Sequence, residues 1–246
     1  MARYDFNAQR LYVDADLHEA ALIACAPEQS NYLRNVLRLG RGDAILIFNG
    51  RDGEWRADLI ETGRRATSLR VVARIRLQES GPDIDYLFAP LKRARLDYMV
   101  QKATEMGVAR LRPVLTRRTM PERINLDRMR ANCIEAAEQC GILRVPELHA
   151  PEKLDGVLAC WQTARSLIFC DEASEESCPL SALAHLQPGP LALLVGPEGG
   201  FDEAERTLLL AHPSVTAISL GPRILRADTA AVAALALVNA VLGDWR

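Results

Sequence analysis

Residues Leu193 to Glu205 read LLVGPEGGFDEAE, and this stretch decides the fold because it joins a buried strand to an acidic helix start through a glycine-rich turn. Three glycines fall within five residues, at Gly196, Gly199 and Gly200. Glycine costs backbone entropy and is used where the chain turns tightly or is approached closely. Since a strand-to-helix turn needs only one or two glycines, we predict a loop that binds a ligand.

The chemistry of this loop narrows the class of ligand. The loop matches neither the G-x-G-x-x-G pattern of dinucleotide-binding proteins nor the phosphate loop, which requires a lysine after its last glycine. Instead, four carboxylates lie in or after the turn, at Glu198, Asp202, Glu203 and Glu205. Because carboxylates repel phosphate, the loop favours a ligand that carries positive charge.

The next predicted strand ends in a similar way. Residues Ile218 to Ala230 read ISLGPRILRADTA, which indicates a strand, a Gly-Pro turn and a helix that begins near Asp228 or Thr229. Two successive strands that both end in glycine loops would form neighbouring walls of one pocket. Asp228 on its own is equally consistent with a plain helix N-cap.

Outward from these segments, strands alternate with helices over residues 79–246. This alternation predicts an α/β domain with a parallel sheet and a binding crevice at the carboxyl ends of the strands. The predicted strands lie at Asp85–Ala89, Leu111–Leu115, Ser166–Cys170, Leu191–Val195 and Val215–Leu220. The predicted helices lie at Arg95–Met106, Leu126–Gln139, Leu180–His185, Glu203–Ala211 and Thr229–Leu242.

Residues 1–78 follow a different pattern, which predicts a small β-barrel. Three runs with alternating apolar residues predict strands, at Ala44–Phe48, Glu54–Ile60 and Ser68–Ile75. Gly50 and Gly53 supply the positive φ that a tight hairpin between the first two requires. Apolar residues at helical spacing predict one helix from Pro27 to Leu37. The turn-rich segment from Gln78 to Asp83 separates this domain from the α/β domain.

Composition and charge exclude several classes of protein. The chain has 246 residues, of which 49% are hydrophobic and 25% charged, as in an ordinary globular protein. There is no run of eighteen apolar residues and no secretory leader, so we expect a cytoplasmic protein. The six cysteines form no C-x-x-C pair, so no metal site is expected.

Charge is unevenly distributed along the chain. Residues 1–146 carry 24 Lys+Arg against 19 Asp+Glu, a net charge of +5, whereas residues 147–246 carry 6 against 13, a net charge of −7. Such asymmetry is compatible with a nucleic-acid surface in the first part of the chain.

Taken together, these segments resemble the ribosomal small-subunit methyltransferase E family of the SPOUT class. The resemblance covers nearly the whole chain and rests on LVGPEGGF, LGPRILRADTA, PLKRARLDYMVQKATEMGVARLRPVLTRRT, EAAEQCGILRVPE and, in the first domain, NYLRNVLRLGRGDAILIFNG. It implies S-adenosylmethionine as cofactor and methylation of N3 of a specific uridine in 16S ribosomal RNA. The RNA would be presented in an assembled or assembling small subunit.

The resemblance also implies an architecture. Residues 1–78 would form a PUA-like RNA-binding β-barrel, and residues 79–246 a SPOUT methyltransferase domain. The C-terminal part would form a trefoil knot, threaded through the loops Gly196–Gly200 and Gly221–Arg226. Family members are homodimers, so the resemblance implies a homodimer here as well.

By the same resemblance, the cofactor is held mainly by main-chain groups of the two glycine loops. The residues implied are Leu194, Val195, Gly196, Pro197, Glu198, Gly199, Gly200, Leu220, Gly221, Ile224, Leu225, Arg226 and Thr229. Uridine N3 must lose a proton, so a base and a cationic stabiliser are expected. We assign the role of base to Glu198 and that of cationic stabiliser to Arg226. Alternatively, the Glu198 carboxylate holds the loop by accepting hydrogen bonds from backbone N–H groups of the loop.

Candidate RNA contacts are basic residues of the first 146 positions, each of which is also explained by a solvated surface. They are Arg34, Arg38, Lys92, Arg93, Lys102, Arg117, Arg118 and Arg144. Three other functions remain open at this point: a nucleotide-binding oxidoreductase, an RNA-binding assembly factor without turnover, and the same methyl transfer on another RNA such as transfer RNA.

Overall fold

The computed structural model describes residues 8–62, 67–119, 124–174 and 178–245. The chain divides into two compact units. The first consists of the chain up to Ser80 together with Ala137–Val145, and the second of Gly81–Ala136 and the chain from Pro146 onward. A single helix, Leu126–Cys140, therefore contributes residues to both units.

The first unit is built on a five-stranded mixed sheet. Its strands are β1 (Arg10–Tyr12), β2 (Leu22–Ala24), β3 (Ala44–Phe48), β4 (Glu54–Thr62) and β5 (Thr67–Arg76), in the order β1-β3-β4-β5-β2. The β1–β3 pair is parallel and the other pairs are antiparallel. Register shifts between β4 and β5 increase the local twist, as β-bulges do, and curl the sheet around an apolar core.

A short helical segment connects β2 to β3 along the chain. Helix α1 (Pro27–Asn31) continues directly into a π-helical turn at Tyr32–Val36. Leu33 of this turn is fully buried in the core of the sheet, as its helical spacing predicts. Arg38 then adopts a positive φ of 58°, which ends the helical run.

A parallel sheet forms the centre of the second unit. Its strands are β6 (Ile84–Phe88), β7 (Arg110–Leu115), β8 (Glu147–Leu148), β9 (Glu152–Lys153), β10 (Ser166–Cys170), β11 (Leu191–Val195) and β12 (Val215–Ile218). Their order is β12-β10-β11-β6-β7-β8. Strand β9 pairs with the last two residues of β7, whereas β8 pairs with its first two. All five residues of β11 are buried, as expected for a central strand of a parallel sheet.

Six helices of the described residues belong wholly or partly to this unit. They are α2 (Arg93–Glu105), α3 (Leu126–Cys140), α4 (Leu154–Ala159), α5 (Pro179–Ala184), α6 (Glu203–Ala211) and α7 (Ala227–Val241). Helix α7 packs on α2, α5 and β11. No helix in the described part of the chain is both long and apolar enough to cross a membrane.

The amino ends of the central strands are tied by an ionic network. Asp85 of β6 is 2% exposed and pairs with Arg110 of β7. Arg165, just before β10, donates to the Asp83 carboxylate at 3.1 Å and to the Leu191 carbonyl at 2.8 Å. The network fixes the end of the sheet opposite to its carboxyl edge.

The predicted architecture is confirmed: a unit built on a curled β-sheet precedes a parallel-sheet α/β unit. Within the described strands, the first sheet is a half-barrel with β1 and β2 at its two edges, rather than a closed barrel. The predicted bounds of β3, β10, β11 and α6 match the structure. Strand β12 ends two residues earlier than predicted, because Ser219 and Leu220 belong to the following loop.

Candidate functional site

A cavity of about 680 Å³ lies where β10, β11 and β12 end, at the carboxyl edge of the parallel sheet. Its walls are the loops that follow these three strands, with the first turns of α6 and α7. This is the edge at which parallel α/β sheets bind ligands, and the volume is typical of a site for a small molecule.

The glycine loop after β11 takes its shape from two close internal contacts. A Cβ on Gly196 would lie 2.4 Å from the Phe201 ring, and one on Gly200 would lie 2.6 Å from Glu172 Oε1. Gly200 also has a φ of +68°, which L side chains rarely adopt. The close approaches inferred from the sequence are therefore made, at least in part, by the protein's own side chains.

Helix α6 begins with a capping box directly after this loop. The Glu205 N–H donates to Asp202 Oδ1 at 2.7 Å, and the Asp202 N–H donates to Glu205 Oε2 at 3.1 Å. The hydrogen bond that Asp202 accepts from the Glu205 backbone lowers the pKa of Asp202, and the bond from the Arg117 side chain lowers it further by a smaller amount. The acidic residues of the motif thus fix the start of the helix.

The loop after β7 reaches the same place. The Arg117 N–H donates to Glu205 Oε1 at 2.7 Å, and Arg117 Nη1 donates to Asp202 Oδ2 at 2.9 Å. Arg118 Nη1 donates to the Gly199 carbonyl at 2.7 Å. Two predicted RNA contacts are thereby attached to the glycine loop and to the start of α6.

The loop after β10 contributes the opposite wall. Asp171 is 4% exposed and accepts hydrogen bonds from the Arg206 guanidinium, at 2.9 Å from Nη2, and from the Ala173 N–H at 3.1 Å. The bond to Asp171 raises the pKa of Arg206. The ion pair holds α6 against the end of β10.

The cavity combines apolar surface with charged groups of both signs. Four acidic residues belong to its lining, Asp171, Glu172, Glu198 and Glu203, together with Arg118, Arg206 and Arg223. The apolar lining includes Val195, Phe201, Ile218, Leu220, Ile224, Leu225 and Ala230. Among the described residues, no three His, Cys, Asp or Glu side chains are grouped to hold a metal ion.

Most of the predicted cofactor residues line this cavity. They are Val195, Gly196, Pro197, Glu198, Gly200, Leu220, Gly221, Ile224 and Leu225. Four others do not belong to its lining: Leu194, Gly199, Arg226 and Thr229. Leu194 is fully buried in the core between the sheet and its helices, and the Gly199 carbonyl is taken by Arg118.

The two predicted catalytic side chains lie at different places. Glu198 lines the cavity and forms an ion pair with Arg95 of α2. Arg226 immediately precedes α7, its side chain is largely exposed, and its guanidinium lies 3.6 Å from the Asp228 carboxylate. Asp228 lies in the first turn of α7 and accepts a hydrogen bond from the Thr229 N–H at 3.1 Å.

The other predicted RNA contacts are divided between the two units. Arg34 lies in the π-helical turn, Arg38 follows it, and Arg144 donates to the Ser80 carbonyl, all in the first unit. Lys92 and Arg93 begin α2 in the second unit. Lys102, also in α2, pairs with Glu105 at 2.7 Å and lies 5.6 Å from the centre of the Tyr98 ring.

Sequence reasoning missed the wall formed after β10. Cys170, Asp171, Glu172, Ala173 and Ser174 all line the cavity, as do Phe201, Arg206 and Arg223. The sequence predicts the strand Ser166–Cys170, but no glycine follows it to indicate a loop at the site. The parallel sheet itself is the available signal, because it brings the carboxyl ends of its strands to one edge.

Comparison with known proteins gives a consistent result. A model of an RNA methyltransferase domain matches residues 78–239, and a model of an RNA methyltransferase PUA domain matches residues 26–72. The ribosomal RNA small subunit methyltransferase E of Rickettsia conorii is 30% identical over 232 residues, which cover 94% of each chain. The protein of the same name from a Synechocystis species is 31% identical over 240 residues, covering 96% of this chain and 78% of its own.

Two solved structures resemble the chain over nearly its full length. Legionella pneumophila Lpg2936, solved in complex with the bound cofactor SAM, has 30% identity and a TM-score of 0.85, covering 97% of this chain and 99% of its own. A Neisseria gonorrhoeae ribosomal RNA small subunit methyltransferase E bound to S-adenosyl methionine has 24% identity and a TM-score of 0.88. It covers 98% of this chain and 100% of its own, and at that identity it supports the fold alone.

Proposed function

Because this chain belongs to the ribosomal RNA small subunit methyltransferase E family of RNA methyltransferases, we propose that it methylates N3 of a specific uridine in 16S ribosomal RNA, with S-adenosylmethionine as methyl donor. The observation that carries the proposal is the cavity bounded by the glycine loops after β11 and β12. The Legionella pneumophila relative, solved with the cofactor SAM bound, supports the choice of cofactor.

The residues of the cavity fit this cofactor. The adenine ring of S-adenosylmethionine is planar and largely apolar, which suits the surface formed by Val195, Leu220 and Leu225. The sulfonium of the cofactor is positively charged, which suits a cavity whose lining contains four acidic residues and three arginines, with one of these arginines, Arg206, already paired with Asp171. Gly196 and Gly200 line the cavity without side chains, so their main-chain groups are the groups available to polar edges of the adenosine.

When bound, the cofactor supplies an electrophilic methyl group on a positively charged sulfur. The task left to the protein is to align the acceptor base and to remove its N3 proton, and alignment of reactants can contribute roughly 7–11 kcal/mol. Glu198 is the proposed base, because it is the carboxylate of the glycine loop itself. Its ion pair with Arg95 must loosen, or leave one carboxylate oxygen available, for a proton to be accepted.

Arg226 is the proposed stabiliser of the deprotonated uridine. It precedes α7 at the end of the second glycine loop, and its largely exposed guanidinium can reach a bound base by exchanging its contact with Asp228. A cation beside the uridine carbonyl oxygens would lower the cost of removing the N3 proton. The alternative role for Glu198, holding the loop, remains compatible with its pairing to Arg95.

RNA recognition is proposed for basic residues of both units. N3 lies on the Watson–Crick edge, so the target uridine must be unpaired or turned out of a helix. We propose that residues 1–78 form a PUA-like domain that holds the RNA, and that residues 79–246 perform the transfer. We also propose a trefoil knot through the loops Gly196–Gly200 and Gly221–Arg226, a homodimer, and a cytoplasmic location.

A single assay tests the cofactor, the substrate and the acceptor atom. The purified chain is incubated with methyl-labelled S-adenosylmethionine and small ribosomal subunits from cells that lack the protein. Digestion of the RNA then identifies the labelled nucleoside. We expect 3-methyluridine at one site; label in transfer RNA alone, or cofactor binding without transfer, would favour another RNA substrate or an assembly factor without turnover.

A further inference from the structure

One group of contacts beside the cavity joins two candidate RNA contacts, Arg117 and Arg118, to the glycine loop after β11. We call it the clip; it consists of Arg117 and Arg118 on the loop after β7, and of Gly199, Asp202 and Glu205 after β11. The three bonds that join the two segments are 2.7, 2.9 and 2.7 Å long. The capping box of α6 joins Asp202 to Glu205 within the same group.

The clip connects two loops that the sheet does not connect directly. Strand β6 lies between β7 and β11, so the ladder hydrogen bonds of β7 and those of β11 are made to β6 rather than to each other. Beyond the end of β6, the relative position of the two loops therefore depends on contacts such as those of the clip. This matters because the loop after β11 is a wall of the cavity.

Burial and hydrogen bonding make Glu205 the anchor of the clip. The residue is 8% exposed, and its two carboxylate oxygens each accept a main-chain N–H, one from Arg117 and one from Asp202. Hydrogen bonds to a charged acceptor are stronger than those between neutral groups. The backbone of Arg117 is thus fixed to α6, and this places the following residue, Arg118, against Gly199.

Arg118 acts at the least constrained part of the glycine loop. A Cβ on Gly199 would find its nearest neighbours 3.8 Å away, on the Arg118 side chain, whereas Gly196 and Gly200 are tightly enclosed. Glycine-rich backbone loses much conformational entropy when it is ordered. A contact that orders the loop before the cofactor arrives removes part of that cost from binding.

We propose that Arg117 and Arg118 are positioning residues of the cofactor loop, which act through the clip and raise the affinity for S-adenosylmethionine in the absence of RNA. This inference rests on the proposed function. It gives the two arginines a role that differs from direct contact with RNA, since an RNA contact would leave binding of the cofactor to the RNA-free protein unchanged.

The test measures S-adenosylmethionine binding to the RNA-free chain by calorimetry. Arg118→Ala should raise the Kd about threefold to tenfold, the effect expected for removal of one partly exposed, charge-assisted hydrogen bond. Arg118→Lys should restore part of the affinity, because an ammonium can still donate to the Gly199 carbonyl. Arg128→Ala is the matched control, since it removes an exposed arginine paired with Asp97 away from the cavity and should leave the Kd unchanged.

Methyl-transfer kinetics with small ribosomal subunits as substrate distinguish a positioning role of Arg118 from a general structural defect. Arg118→Ala should raise KM for S-adenosylmethionine while kcat at saturating cofactor stays near that of the wild type. Thermal unfolding of each variant verifies that the chain is folded. If Arg118→Ala does not fold, Arg117→Ala and Arg118→Lys, measured in the same way, decide the question.

Three results would overturn the inference. A wild-type chain that binds the cofactor, with an Arg118→Ala variant of equal affinity and weaker RNA binding, would make the arginine an RNA contact and leave the proposed function intact. An equal loss of affinity in Arg128→Ala would show a nonspecific effect. A wild-type chain with no affinity for S-adenosylmethionine would contradict the proposed function and this inference together.

Discussion

At the scale of single residues, the two enclosed glycines of the loop after β11 have different physical requirements. Gly196 leaves room for the Phe201 ring, which packs edge to face on Phe169 with 5.1 Å between ring centres. Gly200 is needed both for its φ of +68° and for the approach of Glu172. The loop therefore connects the apolar core to the cavity surface within a few residues.

We predict that Gly196→Ala destabilises the protein by about 1–3 kcal/mol, because the added methyl must displace Phe201 from the core. The cavity wall should shift as well, so the affinity for S-adenosylmethionine should fall. Urea unfolding and calorimetry measure the two effects. Gly199→Ala is the matched control, since its methyl group would meet nothing closer than 3.8 Å; equal losses of stability in both variants would contradict the packing argument.

The proposed role of Glu198 as base predicts that its substitution lowers kcat but leaves the affinity for S-adenosylmethionine unchanged. Glu198→Gln keeps the size of the side chain but cannot take up the N3 proton, so kcat should fall by about 10²–10⁴ while the affinity for S-adenosylmethionine is retained. Methyl transfer to small subunits and calorimetry test this. Glu152→Gln, on the exposed edge strand β9, serves as control. Near-normal turnover in Glu198→Gln would contradict the role of Glu198 as base and would favour its alternative role of holding the glycine loop.

At the scale of secondary-structure elements, what the sequence predicts depends on element length and on glycine. Strands β3, β10 and β11 and helix α6 are predicted with the observed bounds, because each is a regular run with clear ends. Strands β8 and β9 have only two residues each, too few for any period to appear. The π-helical turn at Tyr32–Val36 has the apolar spacing of an α-helix and cannot be distinguished from one by pattern.

The same dependence on glycine and on regular runs explains which parts of the cavity can be predicted from the sequence. The loops after β11 and β12 are predicted because glycines follow both strands, whereas the acidic loop after β10 resembles any solvated turn. The clip is not predictable at all, because Arg117 and Glu205 are 88 residues apart in sequence. Their contact depends on the strand order, which local patterns do not contain.

The hairpin between β3 and β4 allows a pH-dependent prediction. Asp52 accepts hydrogen bonds from the Leu17 N–H at 3.0 Å and from Asn49 Nδ2 at 2.6 Å. These contacts, led by that of the Leu17 backbone and supported by Arg51, lower the pKa of Asp52 from 3.8 to about 2. A depressed pKa in the folded state contributes stability above the unfolded value, and this is lost as pH falls through the folded value.

We therefore expect Asp52→Asn to reduce the loss of stability between about pH 4 and pH 2 that the wild type shows. Urea unfolding at a series of pH values measures the slope in that window. Asp14→Asn provides a control, as an exposed carboxylate of the same unit. An unchanged slope in Asp52→Asn would mean that this carboxylate does not contribute to acid sensitivity.

At the scale of the whole molecule, 24 of the 30 basic residues lie in the first 146 positions, whereas acidic residues have nearly the same density in both parts of the chain. The proposed RNA contacts follow that division. Replacing Arg34, Arg38 and Lys92 by glutamine should weaken binding to small-subunit RNA and reduce its salt dependence by about 0.7–0.9 in log–log slope for each phosphate that is no longer neutralised. Fluorescence anisotropy over a range of salt concentrations measures that slope.

A suitable control for this experiment is Lys153→Gln, which removes an exposed basic residue from the acidic part of the chain. It should leave the salt dependence unchanged. An unaltered slope in the triple variant would argue against RNA binding by these three residues, whatever the effect on total affinity.

The position of β11 in the sheet has a consequence for synthesis of the chain. One edge of β6 is filled by β7, which starts at Arg110, whereas the other edge is filled by β11, which starts at Leu191, about a hundred residues after β6 ends at Phe88. At roughly 5–20 residues per second, that edge waits for about 5–20 s during translation. Strand β6, whose five residues are all buried in the folded sheet, therefore has one open pairing edge during that time, and we expect this edge to need protection from pairing with other chains.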